Sequence, residues 1–178
     1  GLLGIELHPD FDQNGFVYLY YSARTVAGDG SGSWSENRLD RYVWNGTALV
    51  VDPSYSSFSI PFDPAQNNGA NHDGGPIRFG PDGTLFLATG DLNRSRIEQN
   101  NTGVTSSAGT GGIYRFNDDG TLPADNPFAI DPDVLVRDLF AYGVRNSFGL
   151  AVDPVTGNLW DTENGPGRMD EINLLGPG

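Results

Sequence analysis

One imidazole, one carboxylate and one guanidinium in this chain are spaced so that neighbouring repeats would carry them to a common place. His72 precedes Ile77 by five residues and Arg145 precedes Leu150 by five; Asp91 follows Gly83 by eight and Gly165 follows Gly157 by eight. Equal offsets in successive repeats mean equivalent positions, so His72, Asp91, Arg145, Asn146 and the Gly165–Pro166 bend are expected on one rim. A histidine beside an aspartate makes a general base whose tautomer and basicity the carboxylate sets. An arginine next to them offers a bidentate clamp for a carboxylate or phosphate. A Gly-Pro bend can turn carbonyl oxygens outward, and Pro166 has no N–H of its own to satisfy its neighbours. With the carboxylates Glu163, Asp170 and Glu171 nearby, these are hard oxygen donors of the kind calcium takes.

The elements that must position these groups come from an internal repeat. GIELHPDFDQNGFVYLY, PIRFGPDGTLFLAT and LAVDPVTGNLWDT share one pattern, and their turn prolines Pro9, Pro81 and Pro154 are 72 and 73 residues apart. Each copy has an alternating apolar strand, a Pro-containing turn closed by Gly15, Gly83 or Gly157, and then an aliphatic–aromatic pair (Val17–Tyr18, Leu85–Phe86, Leu159–Trp160). The first strand runs to the turn and the second returns, so the residues just before the first strand meet those just after the second. Elsewhere, Leu39–Val43 and Ala48–Val51 flank the hairpin signal Trp44-Asn45-Gly46-Thr47. Ile113–Phe116 reads as a strand ending at Asn117-Asp118-Asp119-Gly120, and Val134–Tyr142 as a further extended stretch. Residues 22–38 and 92–112, rich in Gly, Ser and Asn, read as loops.

Each repeat therefore has material for about four antiparallel strands, one propeller blade. The expected fold is all-β, a partial β-propeller domain spanning 1–178 with about two and a half blades. So few blades leave unpaired edges, so the chain is expected to be a fragment of a longer propeller. His8, Asp10 and the turn prolines belong to this scaffold, Tyr18, Tyr20 and Tyr21 to blade packing, and Asp118-Asp119-Gly120 to a turn rather than a calcium loop.

Composition narrows the function. The formal charge of -13 argues against nucleic-acid binding, which needs clustered Lys and Arg. With no cysteine there is no disulfide framework and no thiolate nucleophile or metal ligand. The 25 glycines and 12 prolines suit a fold built of many turns. No run approaches the ~18 apolar residues of a membrane span.

The segments GLLGIELHPDF, NGFVYLYY, NHDGGPIRFGPDGTLFLATGD, GGIYRFNDDGTLPADNPF, AYGVRNSFGLAVDP and ENGPGRMDEINLL, in that order over nearly the whole chain, resemble the glucose/sorbosone dehydrogenase family of soluble quinoproteins. The resemblance implies a six-bladed propeller that carries pyrroloquinoline quinone (PQQ) and calcium and oxidises an aldose at its anomeric carbon. On that basis His72 would be the catalytic base and Asp91 its supporting acid. Arg145 and Asn146 would bind PQQ, the carbonyls of Gly165 and Pro166 would hold the calcium beside it, and Glu171 would serve a further calcium. An external electron acceptor and a periplasmic or secreted location are implied in the same way. Two positions depart from the family pattern: Ser147-Phe148 replaces the commoner Pro-Gln, and Asn164 replaces His or Gln before Gly-Pro. Two other readings remain open from the residues: a calcium-dependent lactonase-like hydrolase, and a propeller that binds a glycan or protein without catalysis. On the plainest view, His72 caps a strand beside Gly74-Gly75 and Arg145-Asn146 makes an ion pair and a turn.

Overall fold

The computed structural model describes residues 1–24, 34–61, 71–93, 99–100 and 109–178. Its strands form three antiparallel sheets in chain order, matching the three repeats. The first contains β1 (Leu2–Leu7), β2 (Phe16–Arg24), β3 (Trp34–Trp44), β4 (Leu49–Val51) and β5 (Phe58–Pro61). β4 and β5 share the outer position, pairing with opposite ends of the long β3. The second contains β6 (Ile77–Phe79), β7 (Leu85–Ala88), β8 (Gly112–Phe116) and β9 (Leu139–Tyr142), and the third β10 (Ser147–Val152), β11 (Leu159–Glu163) and β12 (Glu171–Leu175). Blade-like sheets of antiparallel strands packed side by side are the propeller arrangement expected from the repeat.

Period-two alternation explains how the blades stack. In β7, Leu85 and Leu87 face the first blade, packing with Tyr18, Tyr20, Leu39, Phe58 and Ile60. Phe86 and Ala88, on the opposite face, pack with Leu150 and Leu159 of the third blade. The central strand is thus buried on both sides, and that is why LFLA reads as an unbroken apolar run. Tyr18 and Tyr20 are fully buried packing residues, as expected. β11 differs: Leu159, Asp161 and Glu163 face inward, while Trp160 and Thr162 face out.

Two expectations need correction. Val134–Tyr142 is not one extended stretch. A short helix near the first turn, α1 (Phe11–Asn14), has a counterpart here in α2 (Val134–Arg137), a helical turn followed by β9. Asp133 caps α2 by accepting a hydrogen bond from Leu135 N at 2.9 Å, a local bond that outweighs the β-propensity of the two valines. The first spacer is also shorter than composition suggests, because β2 continues to Arg24 and β3 begins at Trp34. Arg38 bonded to Asp40 and Glu36, and Tyr21 bonded to Asp40, give that polar ribbon its partners. Most of the second spacer, 94–98 and 101–108, lies outside the described residues. Asp119 closes the Asp118-Asp119-Gly120 turn onto Thr121. No helix among the described residues is long and apolar enough to cross a membrane.

Candidate active site

The segment before β6, the segment after β7 and the β9–β10 connection meet at one end of the second and third blades. His72 stands in the first, with φ 55°, in the left-handed region that non-glycine residues rarely occupy. Holding it there costs on the order of 1 kcal/mol, a strain typical of residues whose direction matters. Its carbonyl accepts from Leu92 N at 3.3 Å, and Asp91 N donates to the Arg145 carbonyl at 2.8 Å. Gly90 makes this crossing possible. A Cβ there would collide with the His72 carbonyl oxygen and come within 3.0 Å of that of Arg145.

The side chains complete a chain of contacts. His72 Nδ1 lies 2.7 Å from Asp91 Oδ1. Asp91 is buried, and a second acceptor bond from Asn93 N, at 2.8 Å, fixes its carboxylate. Arg145 Nη2 lies 3.0 Å from His72 Nε2. An arginine can only donate, so Nε2 accepts and Nδ1–H donates to Asp91. The imidazole therefore presents its lone pair at Nε2, on the side away from Asp91. The His72 side chain is 21% exposed and that of Asp91 1%, so the imidazole is the member of the pair that reaches solvent.

Arg145 also donates through Nη1 to Asn164 O at 2.8 Å and to Asn164 Oδ1 at 3.2 Å. These partners are neutral, and among the described residues its guanidinium has no salt bridge to a carboxylate. Asn146 is buried and accepts from Gly74 N at 3.3 Å through Oδ1, and its carbonyl accepts from Asn164 N at 3.0 Å. The structure thus brings together His72, Asp91, Arg145 and Asn146, with the Gly165–Pro166 bend one residue beyond Asn164. The bend is tight. A Cβ on Gly165 would strike the Met169 carbonyl, Asp170 Oδ1 accepts from Gly165 N at 3.1 Å, and Gly167 N donates to Gly165 O at 3.0 Å. Glu171 is not part of this group; its carboxylate accepts from Asn100 Nδ2 at 3.1 Å.

Three residues escaped the reading of spacing. Asp73 ties the His72 segment to the first blade, accepting from Asn37 Nδ2 at 2.7 Å through Oδ1 and from Tyr20 OH at 3.3 Å through its carbonyl. Asn164 stood out only as a departure, yet it receives the Arg145 guanidinium. Glu163 was a possible metal ligand. Instead its Oε1 accepts from Arg145 N at 2.7 Å. Its phase in β11, matching buried Leu159, was the available signal. Burial pushes its carboxyl up to about 7, the Arg145 N–H opposes this, and the neighbouring Asp161 and Glu171 add to it. Asp161 is also raised by burial. Asn173 and Ser147 are near, but neither Asp161 oxygen makes a hydrogen bond of normal geometry. Among the described residues no three acidic or imidazole side chains converge on a position able to hold a metal ion.

A sequence profile of the Glucose / Sorbosone dehydrogenase family matches residues 1–178. The chain belongs to that family. It is 33% identical to aldose sugar dehydrogenase YliI of Escherichia coli over 98% of this chain and 43% of that protein. It is 28% identical to quinoprotein glucose dehydrogenase B of Acinetobacter calcoaceticus over 98% of this chain and 38% of that protein. The structure of the PQQ-bound form of aldose sugar dehydrogenase from Streptomyces coelicolor superposes with a TM-score of 0.71 at 30% identity, covering 100% of this chain and 46% of that one. The chain thus spans about two-fifths to one-half of these relatives. Its sheets are blades of a β-propeller, the fold of these sugar dehydrogenases.

Proposed function

We propose that the protein containing this chain oxidises an aldose at the anomeric carbon with PQQ as cofactor and His72 as general base. The observation that carries this reading is the Asp91–His72–Arg145 series. A carboxylate fixes the imidazole so that its lone pair lies at Nε2, and the group that occupies that lone pair is a guanidinium without a carboxylate partner among the described residues. The relatives named quinoprotein and PQQ-bound support the choice of cofactor.

When bound, PQQ supplies the quinone that accepts the hydride leaving the anomeric carbon. His72 Nε2 would take the proton of the anomeric hydroxyl once the Arg145 N–H has left its lone pair, and Asp91 would stabilise the imidazolium that results. Arg145 and Asn146 would bind the anionic cofactor, the guanidinium by pairing with a carboxylate. The donors fit such a ligand: one guanidinium free of carboxylate partners among the described residues, and a buried amide on the same rim. Calcium would be held by the carbonyls of Gly165 and Pro166, whose neutral hard oxygens in a tight bend suit it, and Glu171 would serve a second calcium. An external acceptor would reoxidise the cofactor, and the location would be the periplasm or outside the cell.

The test is sugar-dependent dye reduction by the full-length protein given PQQ and calcium. His72→Ala should abolish turnover while PQQ binding, measured by absorbance, survives. A His72→Ala protein that keeps most of its activity would overturn the assignment.

A further inference from the structure

We propose that Glu163 positions Arg145 over His72, acting through the main chain. Arg145 stands at the entry to β10, and its peptide is held from both sides. Glu163 Oε1, from the third blade, accepts its N–H at 2.7 Å, and Asp91 N, from the second, donates to its carbonyl at 2.8 Å. With those two points fixed, the side chain leaves the backbone in the direction that brings Nη2 to His72 Nε2 and Nη1 to Asn164.

The placement of Glu163 is otherwise hard to account for. The residue is 3% exposed and lies in register with Glu171 on β12 and Ser147 on β10. A carboxylate buried beside Asp161 and Glu171 is unfavourable unless it is hydrogen-bonded, and an apolar residue would fill the space at less cost. Among the described residues its other oxygen reaches only Asn173 Nδ2, at the long distance of 3.5 Å. The short bond is the one to Arg145, and a Glu163 oxygen accepts it whether the carboxyl is ionised or neutral. Glu163 makes no hydrogen bond to His72 and acts on it only through Arg145, so its part is to position.

This inference rests on the proposed function only where cofactor affinity is read. In the full-length protein with ¹⁵N-labelled histidine, the His72 Nε2 resonance, assigned with His72→Asn, reports the Arg145 contact without any cofactor. Glu163→Leu keeps the volume and removes the acceptor. It should shift that resonance and weaken PQQ binding in the presence of calcium by about tenfold, the loss expected for one buried hydrogen bond. Glu163→Gln restores an oxygen at the same reach and should return the resonance and most of the affinity. Glu163→Asp, which draws the carboxylate back by one methylene, should shift the resonance as Leu does and serves if the Leu variant does not fold. An unmoved resonance in the Leu or Asp variant, or equal shifts in Leu and Gln, overturns the proposal. Wild-type protein that binds no PQQ would sink the proposed function instead, and the histidine signal would still decide the role of Glu163.

Discussion

Asp91 and His72 come from opposite ends of one β-hairpin, yet their side chains meet at 2.7 Å with the aspartate wholly buried and the imidazole reaching solvent. The hairpin of β6 and β7 closes on itself so that the carboxylate lies behind and the imidazole in front.

Asp91→Asn should therefore leave the fold intact and impair the base. An amide can donate to Nδ1 and favour the wrong tautomer, with Nε2 protonated. Turnover of the reconstituted enzyme should fall by about 10²–10⁴-fold with a far smaller change in KM. Steady-state kinetics beside a circular dichroism spectrum would check this, and unchanged turnover would remove Asp91 from the mechanism.

Gly90→Ala should be damaging out of proportion to one methyl group. The added Cβ would run into the His72 carbonyl and press on that of Arg145, forcing apart the segments that carry base and clamp. Overpacking against backbone costs about 1–3 kcal/mol, so a Tm lowered by several degrees should accompany loss of activity. A melting curve superimposable on wild type would show that the crossing is looser than described.

Asp138 gives a pH signature. Burial raises its carboxyl from 3.8 to about 6. Because the folded value exceeds the unfolded one, the fold holds the neutral form better, and stability falls as pH rises from about 4 through 6. Asp138→Asn should stabilise the protein at pH 7 by on the order of 1 kcal/mol, after discounting for solvent screening, and have no effect near pH 3. Denaturant melts at both values decide it; equal effects would contradict it.

In the first blade, Arg41 pairs with Asp52 at 2.8 Å, donates to the Asp118 carbonyl at 2.7 Å and lies 4.0 Å above the Phe16 ring. Arg41→Met would leave the Asp52 carboxylate with Ser54 as its donor and should cost about 1–3 kcal/mol. Adding Asp52→Leu should recover part of that loss. A single variant with unchanged Tm would mean that the pair contributes nothing net.

The repeat was legible because turns and alternation are local. Pro9, Pro81 and Pro154 with their closing glycines fix where the chain reverses, and strand periodicity then sorts Leu85 and Leu87 from Phe86 and Ala88. Equal offsets from those turns sufficed to bring His72, Asp91, Arg145 and Asn146 to one rim. Where a side chain competes for the backbone, composition misleads: Asp133 turns Val134–Arg137 into a helical turn, and cross-strand partners draw Ser22–Arg24 and Trp34–Arg38 into strands.

Offsets along a sequence locate backbone positions, and from them the chain alone determined its blades and the shared rim. Which way each side chain turns, and what remains buried beside it, depends on contacts between blades that no local pattern contains. Tertiary structure alone decided that the Arg145 guanidinium lies on His72 Nε2, that Asn164 receives its other arm, and that the Glu163 carboxylate serves a peptide N–H. Those bonds join residues far apart in the chain, and only the packing of one sheet against the next brings donor and acceptor within reach.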